Sequence, residues 1–344
     1  MKTRMTMAAV AIVSLVIGYA LGQSQHTGIA ASPAAVVVDP HAGHMMMVDD
    51  SGRPIMDEHA GHAMEAQASP SVQVPDNKKI PATDGAAATA RLNSSPRHGE
   101  YAKTTVGGAP LNLWVVYPER RDKAPVVVVI HGAAGFNDWI RGVGDQLAAE
   151  GFIAVVPDLL SGKGPNGGGS DSFVNRDEVG KTLGSLTRAE VDSRINAARD
   201  FGLKLPAANG KTGTMGFCSG GTNNFAYTVG QPNLNAAVVF YGSAPGAPGS
   251  AQGSFVAADT LANIKAPILG LYGGDDARIN STIPSTQDKM RALGKIYEPH
   301  SFDGAGHGFL GQQGGQNGAN LRASEQAWPL AIGFLKKHTG SASS

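Results

Sequence analysis

A single cysteine set among glycines places the tightest constraint on how this chain folds. The chain of 344 residues has one cysteine, Cys218, in the run Gly216-Phe-Cys-Ser-Gly-Gly221 at the end of an apolar stretch. Glycines on both sides allow a strand to turn sharply into a helix, because that turn needs torsion angles that a Cβ atom resists. The pattern therefore predicts a strand, a tight turn and a helix, with the Cys218 side chain raised at the turn.

Residues 1–22 have the composition of an export signal peptide. Lys2 and Arg4 precede an apolar run over residues 5–21, and Ala20-Leu21-Gly22 supplies small residues at both positions that a signal peptidase inspects. The apolar run is short for a membrane span, so we expect cleavage after Gly22 and a periplasmic or secreted protein. An uncleaved membrane anchor is the alternative. In an oxidising compartment, an unpaired cysteine is expected to be buried or used chemically.

Residues 23–100 have the composition of a disordered tail and linker. Ala, Pro, Ser, Gly and Asp dominate this region, and it has no aromatic residue before Tyr101. The sequence His-Ala-Gly-His occurs twice in it, with methionines nearby. The four histidines of this repeat are His41, His44, His59 and His62. Imidazole and thioether ligands suit copper, so loose copper binding is one interpretation, and a solvated spacer is the other.

Residues 101–340 have the pattern of an α/β domain. An unbroken apolar run over residues 124–130 is typical of a strand buried on both faces of a parallel sheet. Strand patterns alternate with amphipathic helical patterns from there onward, which predicts a mostly parallel central sheet with helices on both faces. The further predicted strands are residues 111–117, 152–156, 211–216, 236–241, 267–272 and 297–302. Basic and acidic residues balance at 28 each, so the charge gives no indication of a nucleic-acid partner.

The loops after these strands hold the polar groups that a Cys218 nucleophile requires. One loop has Asp275 and Asp276, and the next has His307 between glycines. The order of nucleophile, acid and histidine is that of the α/β-hydrolases. The glycine-rich loop after residue 130 offers backbone N–H groups for a developing oxyanion, and His131 is expected to support that loop. The residues alone leave open which of the two aspartates is the acid.

Five groups of residues between positions 124 and 337 resemble a known family. They are residues 127–131, residues 147–152 with 156–159, residues 216–221, residues 273–279 and residues 304–309. In this order they are similar to the dienelactone hydrolase family of α/β-hydrolases, in which the turn carries cysteine instead of the more usual serine. The resemblance implies an α/β-hydrolase fold with Cys218 as nucleophile, Asp276 as acid and His307 as base. It implies the backbone amides of Ser219 and Ala133 as the oxyanion hole.

The same resemblance implies the reaction. We expect a hydrolase of small carboxylic esters or lactones, similar to carboxymethylenebutenolidase, that forms an acyl-enzyme and needs no metal or organic cofactor. The chain departs from the family at Gly132, where a glutamate commonly helps to deprotonate the thiol. The activation of Cys218 is therefore expected to depend on His307 alone, through an imidazolium–thiolate pair.

A second departure concerns the charge of the substrate. Family members that act on dienelactone have an arginine shortly after the active-site histidine, and here Leu310 and Gly311 follow instead. Neutral esters or thioesters are therefore expected to be better substrates than anionic lactones. The candidate replacement cations are Arg141, Arg176 and Arg278, and their spacing does not select one.

Two other functions are compatible with these residues. The chain could be an exported copper-binding protein in which the α/β domain is a scaffold. Alternatively, Cys218 could be a redox sensor, because an exposed thiol of low pKa is readily oxidised. The presence of both an acid and a histidine in the right order favours hydrolysis over these alternatives.

Overall fold

An eight-stranded sheet forms the centre of the domain. A computed structural model describes residues 72–244 and 257–340. Its strands are β1 (Gly99–Val106), β2 (Ala109–Val116), β3 (Ala124–Ile130), β4 (Ile153–Pro157), β5 (Ala208–Phe217), β6 (Ala236–Phe240), β7 (Ile268–Gly273) and β8 (Tyr297–Phe302). They lie in the order β1-β2-β4-β3-β5-β6-β7-β8, and the last six of these are mutually parallel. The predicted mostly parallel sheet is confirmed.

Helices cover both faces of this sheet. They are α1 (Gly85–Asn93), α2 (Asp138–Ala149), α3 (Arg176–Ser185), α4 (Arg188–Lys204), α5 (Ser219–Thr228), α6 (Ala277–Asn280), α7 (Ile283–Ala292) and α8 (Ala319–Thr339). Alternate residues of β3 belong to different cores. Val127 and Val129 pack in a cluster with residues of α2 and α8, whereas Val126 and Val128 pack in a cluster with residues of α4. This two-sided burial explains the unbroken apolar run of β3.

The strand β1 was not among the predicted elements. It pairs antiparallel with β2 at the edge of the sheet, from Gly99 opposite Val116 to Val106 opposite Ala109. No residue of β1 is fully buried, and polar residues such as Lys103 occupy its exposed positions. An edge strand of this kind lacks the apolar alternation on which the prediction depends.

The predicted disordered tail is wrong for residues 72–100. We name residues 72–93 the N-terminal segment. Its side chains Ile80, Ala82 and Ala88 are buried, and α1 packs on α2. At the contact, a Cβ atom added to Gly142 of α2 would lie 3.2 Å from the Ala88 Cβ. The segment has few large apolar residues, so its composition resembles that of a disordered tail. It is folded because it packs on residues that are distant in sequence.

Several predictions fall outside the described residues. These are the signal peptide at residues 1–22, the tail over residues 23–71, and the copper candidates His41, His44, His59 and His62. In the described ranges, none of the helices combines the length and the apolar character needed to cross a membrane.

Candidate active site

The sharp turn predicted around Cys218 joins β5 to α5. Cys218 lies between the two elements with φ 54° and ψ −124°, a conformation that is strained for a residue with a side chain. The turn packs tightly against the end of β3. A Cβ atom added to Gly220 would lie 2.3 Å from the Ile130 carbonyl oxygen and 2.4 Å from that of His131. Glycine at position 220 therefore lets the turn approach the loop after β3, and the Cys218 side chain faces the cleft above it.

The structure brings together the three side chains predicted from separate loops. His307 Nε2 lies 3.1 Å from Cys218 Sγ, and His307 Nδ1 lies 2.5 Å from Asp276 Oδ2. Asp276 follows β7, and its side chain is 6% exposed. Its Oδ1 atom also accepts a hydrogen bond from the Ile279 N–H, at 3.4 Å, where α6 begins. Asp275, the neighbour that the residues alone left open, is exposed and forms no hydrogen bond with His307.

The electrostatics of this group favour a thiolate beside an imidazolium. Burial lowers the pKa of His307, but its hydrogen bonds to Asp276 and Cys218 outweigh burial and raise that pKa to about 9. Burial raises the pKa of Cys218, but the hydrogen bond and charge of His307, followed by two backbone amides, lower it below the usual value for cysteine. Each group thus stabilises the charged form of the other.

The two amides are those of Ser219 and Ala133, the predicted oxyanion-hole residues. The backbone N–H groups of both residues stabilise the Cys218 thiolate and so lower the pKa of the thiol. Ser219 N–H is at the start of α5, and Ala133 belongs to the loop after β3. His131 holds this loop in place: it is buried, and its Nε2 accepts a hydrogen bond from the Leu159 N–H at 3.0 Å. This contact agrees with the supporting role expected of His131.

Comparison with known proteins assigns the family. The family model of the dienelactone hydrolase family matches residues 111–339, two thirds of the chain. The chain belongs to the dienelactone hydrolase family. Among its curated relatives, a provisionally named carboxymethylenebutenolidase of Escherichia coli (strain K12) is 29% identical over 225 residues, which cover 64% of this chain and 79% of that protein. A relative with the same provisional name from Methylorubrum extorquens is 31% identical over 215 residues, covering 62% and 69%.

Solved structures agree with this dienelactone hydrolase fold. A provisionally named dienelactone hydrolase of Klebsiella pneumoniae superposes with a TM-score of 0.61 at 22% identity, covering 70% of this chain and 99% of its own. A dienelactone hydrolase-like promiscuous phosphotriesterase from metagenomic libraries superposes with a TM-score of 0.58, also at 22% identity, and covers 70% and 98%. The predicted α/β-hydrolase fold and the predicted family are confirmed.

The candidate site opens into a cleft of about 490 Å³. Cys218 and His307 line it, together with the loop over residues 131–135. Of the three candidate arginines, Arg176 lines this cleft, is exposed, and has no ion pair recorded among the described residues. Arg141 is paired with Asp138 and lines a different cleft, and Arg278 is absent from the lining of the cleft that holds Cys218.

Sequence reasoning missed several residues that line this cleft. Tyr241, at the end of β6, lies edge-on to the His307 ring with centroids 5.2 Å apart, and burial raises its pKa so that the phenol stays neutral. Its place at the carboxyl end of a predicted strand was an available signal. Trp139, Asp84 and Gly85 also line the cleft. The last two belong to the region predicted to be a tail, and no sequence signal marked them.

Proposed function

We propose that this protein hydrolyses small carboxylic esters or lactones with Cys218 as nucleophile, His307 as acid and base, and Asp276 as the partner that orients His307. The observation that carries the proposal is the continuous contact from sulfur to imidazole to carboxylate, at 3.1 Å and 2.5 Å. A base must lie within hydrogen-bond reach of the group it activates and be oriented by a third group, and these distances meet both conditions. The family names of the relatives point to the same class of substrate.

The reaction begins with attack on the ester carbonyl. The Cys218 thiolate forms a bond to the carbonyl carbon, and the resulting oxyanion accepts hydrogen bonds from the Ser219 and Ala133 amides. The tetrahedral intermediate collapses and the carbon–oxygen bond to the leaving group breaks. His307 Nε2 donates its proton to the leaving alkoxide, so that a neutral alcohol departs and a thioester on Cys218 remains.

The second half of the reaction releases the acyl group. Neutral His307 removes a proton from water as the water oxygen bonds to the thioester carbonyl carbon. The carbon–sulfur bond then breaks, which regenerates the Cys218 thiolate and the His307 imidazolium and frees the carboxylic acid. The Asp276 carboxyl group accepts the hydrogen bond of His307 Nδ1–H and keeps it directed away from sulfur, so that Nε2 faces the reacting atoms.

The activation of the thiol is proposed to need no glutamate at position 132. A Cβ atom added to Gly132 would lie 2.7 Å from the Phe217 carbonyl oxygen and 3.0 Å from the Cys218 Cβ. Such separations leave no room for any side chain unless the backbone moves. His307 is then the one group in contact with the sulfur that can accept its proton among the described residues.

Replacement of the nucleophile tests this function. We expect Cys218→Ala to lower kcat/KM for p-nitrophenyl acetate by about a thousandfold or more, because the covalent route is lost. Under the same conditions, Lys265→Ala is expected to leave kcat/KM unchanged, because Lys265 is exposed and does not line the cleft. Undiminished hydrolysis by Cys218→Ala with wild-type secondary structure would contradict the proposal.

A panel of lactones, aryl esters and thioesters identifies the substrate class. One feature of the cleft favours the opposite preference, for anionic substrates: Arg176 is among the residues that line it, and Arg176 is exposed. A guanidinium in this position would bind a substrate carboxylate. Comparison of matched substrates with a free carboxylate and a methyl ester decides between these two preferences.

Export and metal binding are proposed separately from catalysis. We propose that the signal at residues 1–22 directs the protein out of the cytoplasm, and the mass of the mature protein from the native host tests cleavage after Gly22. Copper binding by the His41–His44 and His59–His62 pairs is tested by titrating the full-length protein with Cu(I). Loss of binding on changing the four histidines to alanine is the expected result, and binding that persists contradicts it.

A further inference from the structure

The N-terminal segment, residues 72–93, borders the catalytic cleft. Asp84 and Gly85 line the same space as Cys218 and His307. The Asp84 side chain accepts a hydrogen bond from the Ala87 N–H at 2.8 Å, so it caps α1 and fixes Gly85 as the first residue of that helix. The segment therefore presents a fixed helix end to the cleft.

Hydrogen bonds tie this segment to the two elements that form the neighbouring parts of the cleft. The Pro81 carbonyl accepts a bond from Gln313 Nε2 at 2.8 Å, and Val72 N–H donates to the Gly314 carbonyl, also at 2.8 Å. Both partners belong to the stretch that follows His307. On the other side, the Ala82 carbonyl accepts a bond from Trp139 Nε1 at 3.0 Å, and Trp139 belongs to α2.

The indole of Trp139 is fixed on three sides. Besides its bond to Ala82, it lies edge-on to the ring of Phe217, the residue before the nucleophile, with centroids 5.2 Å apart. A Cβ atom added to Gly311 would lie 3.0 Å from the indole, so the stretch after His307 also packs against it. Trp139 thus connects the N-terminal segment with both sides of the Cys218–His307 pair, and it lines the cleft.

We propose that the N-terminal segment and Trp139 form a wall that limits the size of the group able to reach Cys218. The effect of this wall on substrate choice rests on the proposed ester hydrolysis, but access to the Cys218 thiol can be measured without any hydrolysis. A wall made of a capped helix end and an indole held by three neighbours keeps its position when a substrate enters. The substrate must then fit the remaining space, and a group too large for it is excluded.

Two substitutions change this wall in opposite directions. Gly85 lines the cleft, and a Cβ atom added to it meets no atom within 4 Å, so Gly85→Leu adds bulk at the cleft from a position with room for the Cβ. Trp139→Ala removes the indole and enlarges the cleft. Gly333→Leu is the matched control, because Gly333 is an exposed helical glycine of α8 with no atom within 4 Å of an added Cβ, and it does not line the catalytic cleft.

Alkylation of Cys218 by a small and a bulky reagent measures how large a group can reach the thiol. Iodoacetamide and an N-naphthyl iodoacetamide react with a thiolate in the same way: a sulfur–carbon bond forms, the carbon–iodine bond breaks, and iodide leaves. Because Cys218 is the only cysteine, intact-mass spectrometry of the full-length protein gives the rate at this residue alone. The ratio of the bulky to the small reagent rate cancels differences in thiol pKa.

The expected shifts are opposite in sign. We expect the rate ratio of bulky to small reagent to fall about tenfold in Gly85→Leu and to rise about tenfold in Trp139→Ala, with Gly333→Leu equal to wild type. An unchanged rate ratio in Gly85→Leu overturns the proposal that the wall limits access to Cys218. This variant decides the test even if Trp139→Ala fails to fold. Wild-type protein that hydrolyses no ester while the ratios shift as expected supports the wall and refutes the proposed hydrolysis instead.

Discussion

Replacing the Asp276 carboxylate by an amide should lower the fraction of Cys218 present as thiolate, although Asp276 does not contact Cys218. Asp276→Asn keeps the size of the side chain, and asparagine caps a helix as well as aspartate does, so α6 should still begin at residue 277. The substitution removes the negative charge that faces His307 Nδ1 at 2.5 Å. The imidazolium then loses its principal stabilising partner, and it competes less well for the proton of the thiol.

The size of this effect follows from the burial of the carboxylate. The Asp276 side chain is 6% exposed and that of His307 is 33% exposed, so water screens this partly buried pair less than it screens a surface pair. A hydrogen bond to a charged group contributes about 1.5–3 kcal/mol, which corresponds to about 1–2 pKa units. The pKa of His307, raised to about 9 in the native protein, should fall toward its ordinary value by that amount. The balance between thiolate–imidazolium and thiol–imidazole shifts toward the neutral pair by the same factor.

Alkylation of Cys218 measures this shift directly. At pH 7 we expect Asp276→Asn to react with iodoacetamide about 10- to 100-fold more slowly than wild type, because only the thiolate attacks the reagent. Asp275→Asn is the matched control, since Asp275 is the exposed neighbour and should change the rate little. Equal rates and equal pH profiles for Asp276→Asn and Asp275→Asn would refute the idea that the Asp276 charge holds the thiolate through His307.

Three further outcomes follow from the site. Gly132→Glu should lower the alkylation rate of Cys218 and the kcat/KM for p-nitrophenyl acetate by about 100-fold, because its Cβ would lie 2.7 Å from the Phe217 carbonyl oxygen and must displace the turn. Arg176→Gln should lower kcat/KM about tenfold for an ester with a free carboxylate and leave the matched methyl ester unchanged; an equal loss for both contradicts carboxylate binding. The kcat/KM of the wild type should fall above about pH 9 as His307 loses the proton that it donates, and at low pH as the thiolate is protonated; a flat profile to pH 10 contradicts this.

The predictions that succeeded depend on local patterns. Residues 124–130 are a strand in the structure as predicted. Their apolar side chains are buried on both faces of the sheet, between two layers of helices. The turn at Cys218 was also readable, because glycines at positions 216, 220 and 221 permit an approach that any Cβ would block. Residues 72–100 were misread because their order comes from contacts with α2 and with the stretch after His307, more than 200 residues away.

The sequence by itself determined the family, the alternation of strands and helices, and the residue types of the candidate site. The residues alone left Asp275 and Asp276 both open as the acid, and it was the resemblance to the family that implied Asp276. Only the tertiary structure directed Asp276 toward His307 and left Asp275 exposed, because β7 and β8 lie side by side and their loops meet at one edge. The wall of the cleft was likewise decided only in three dimensions, where Ala82 meets Trp139 across 57 positions of sequence.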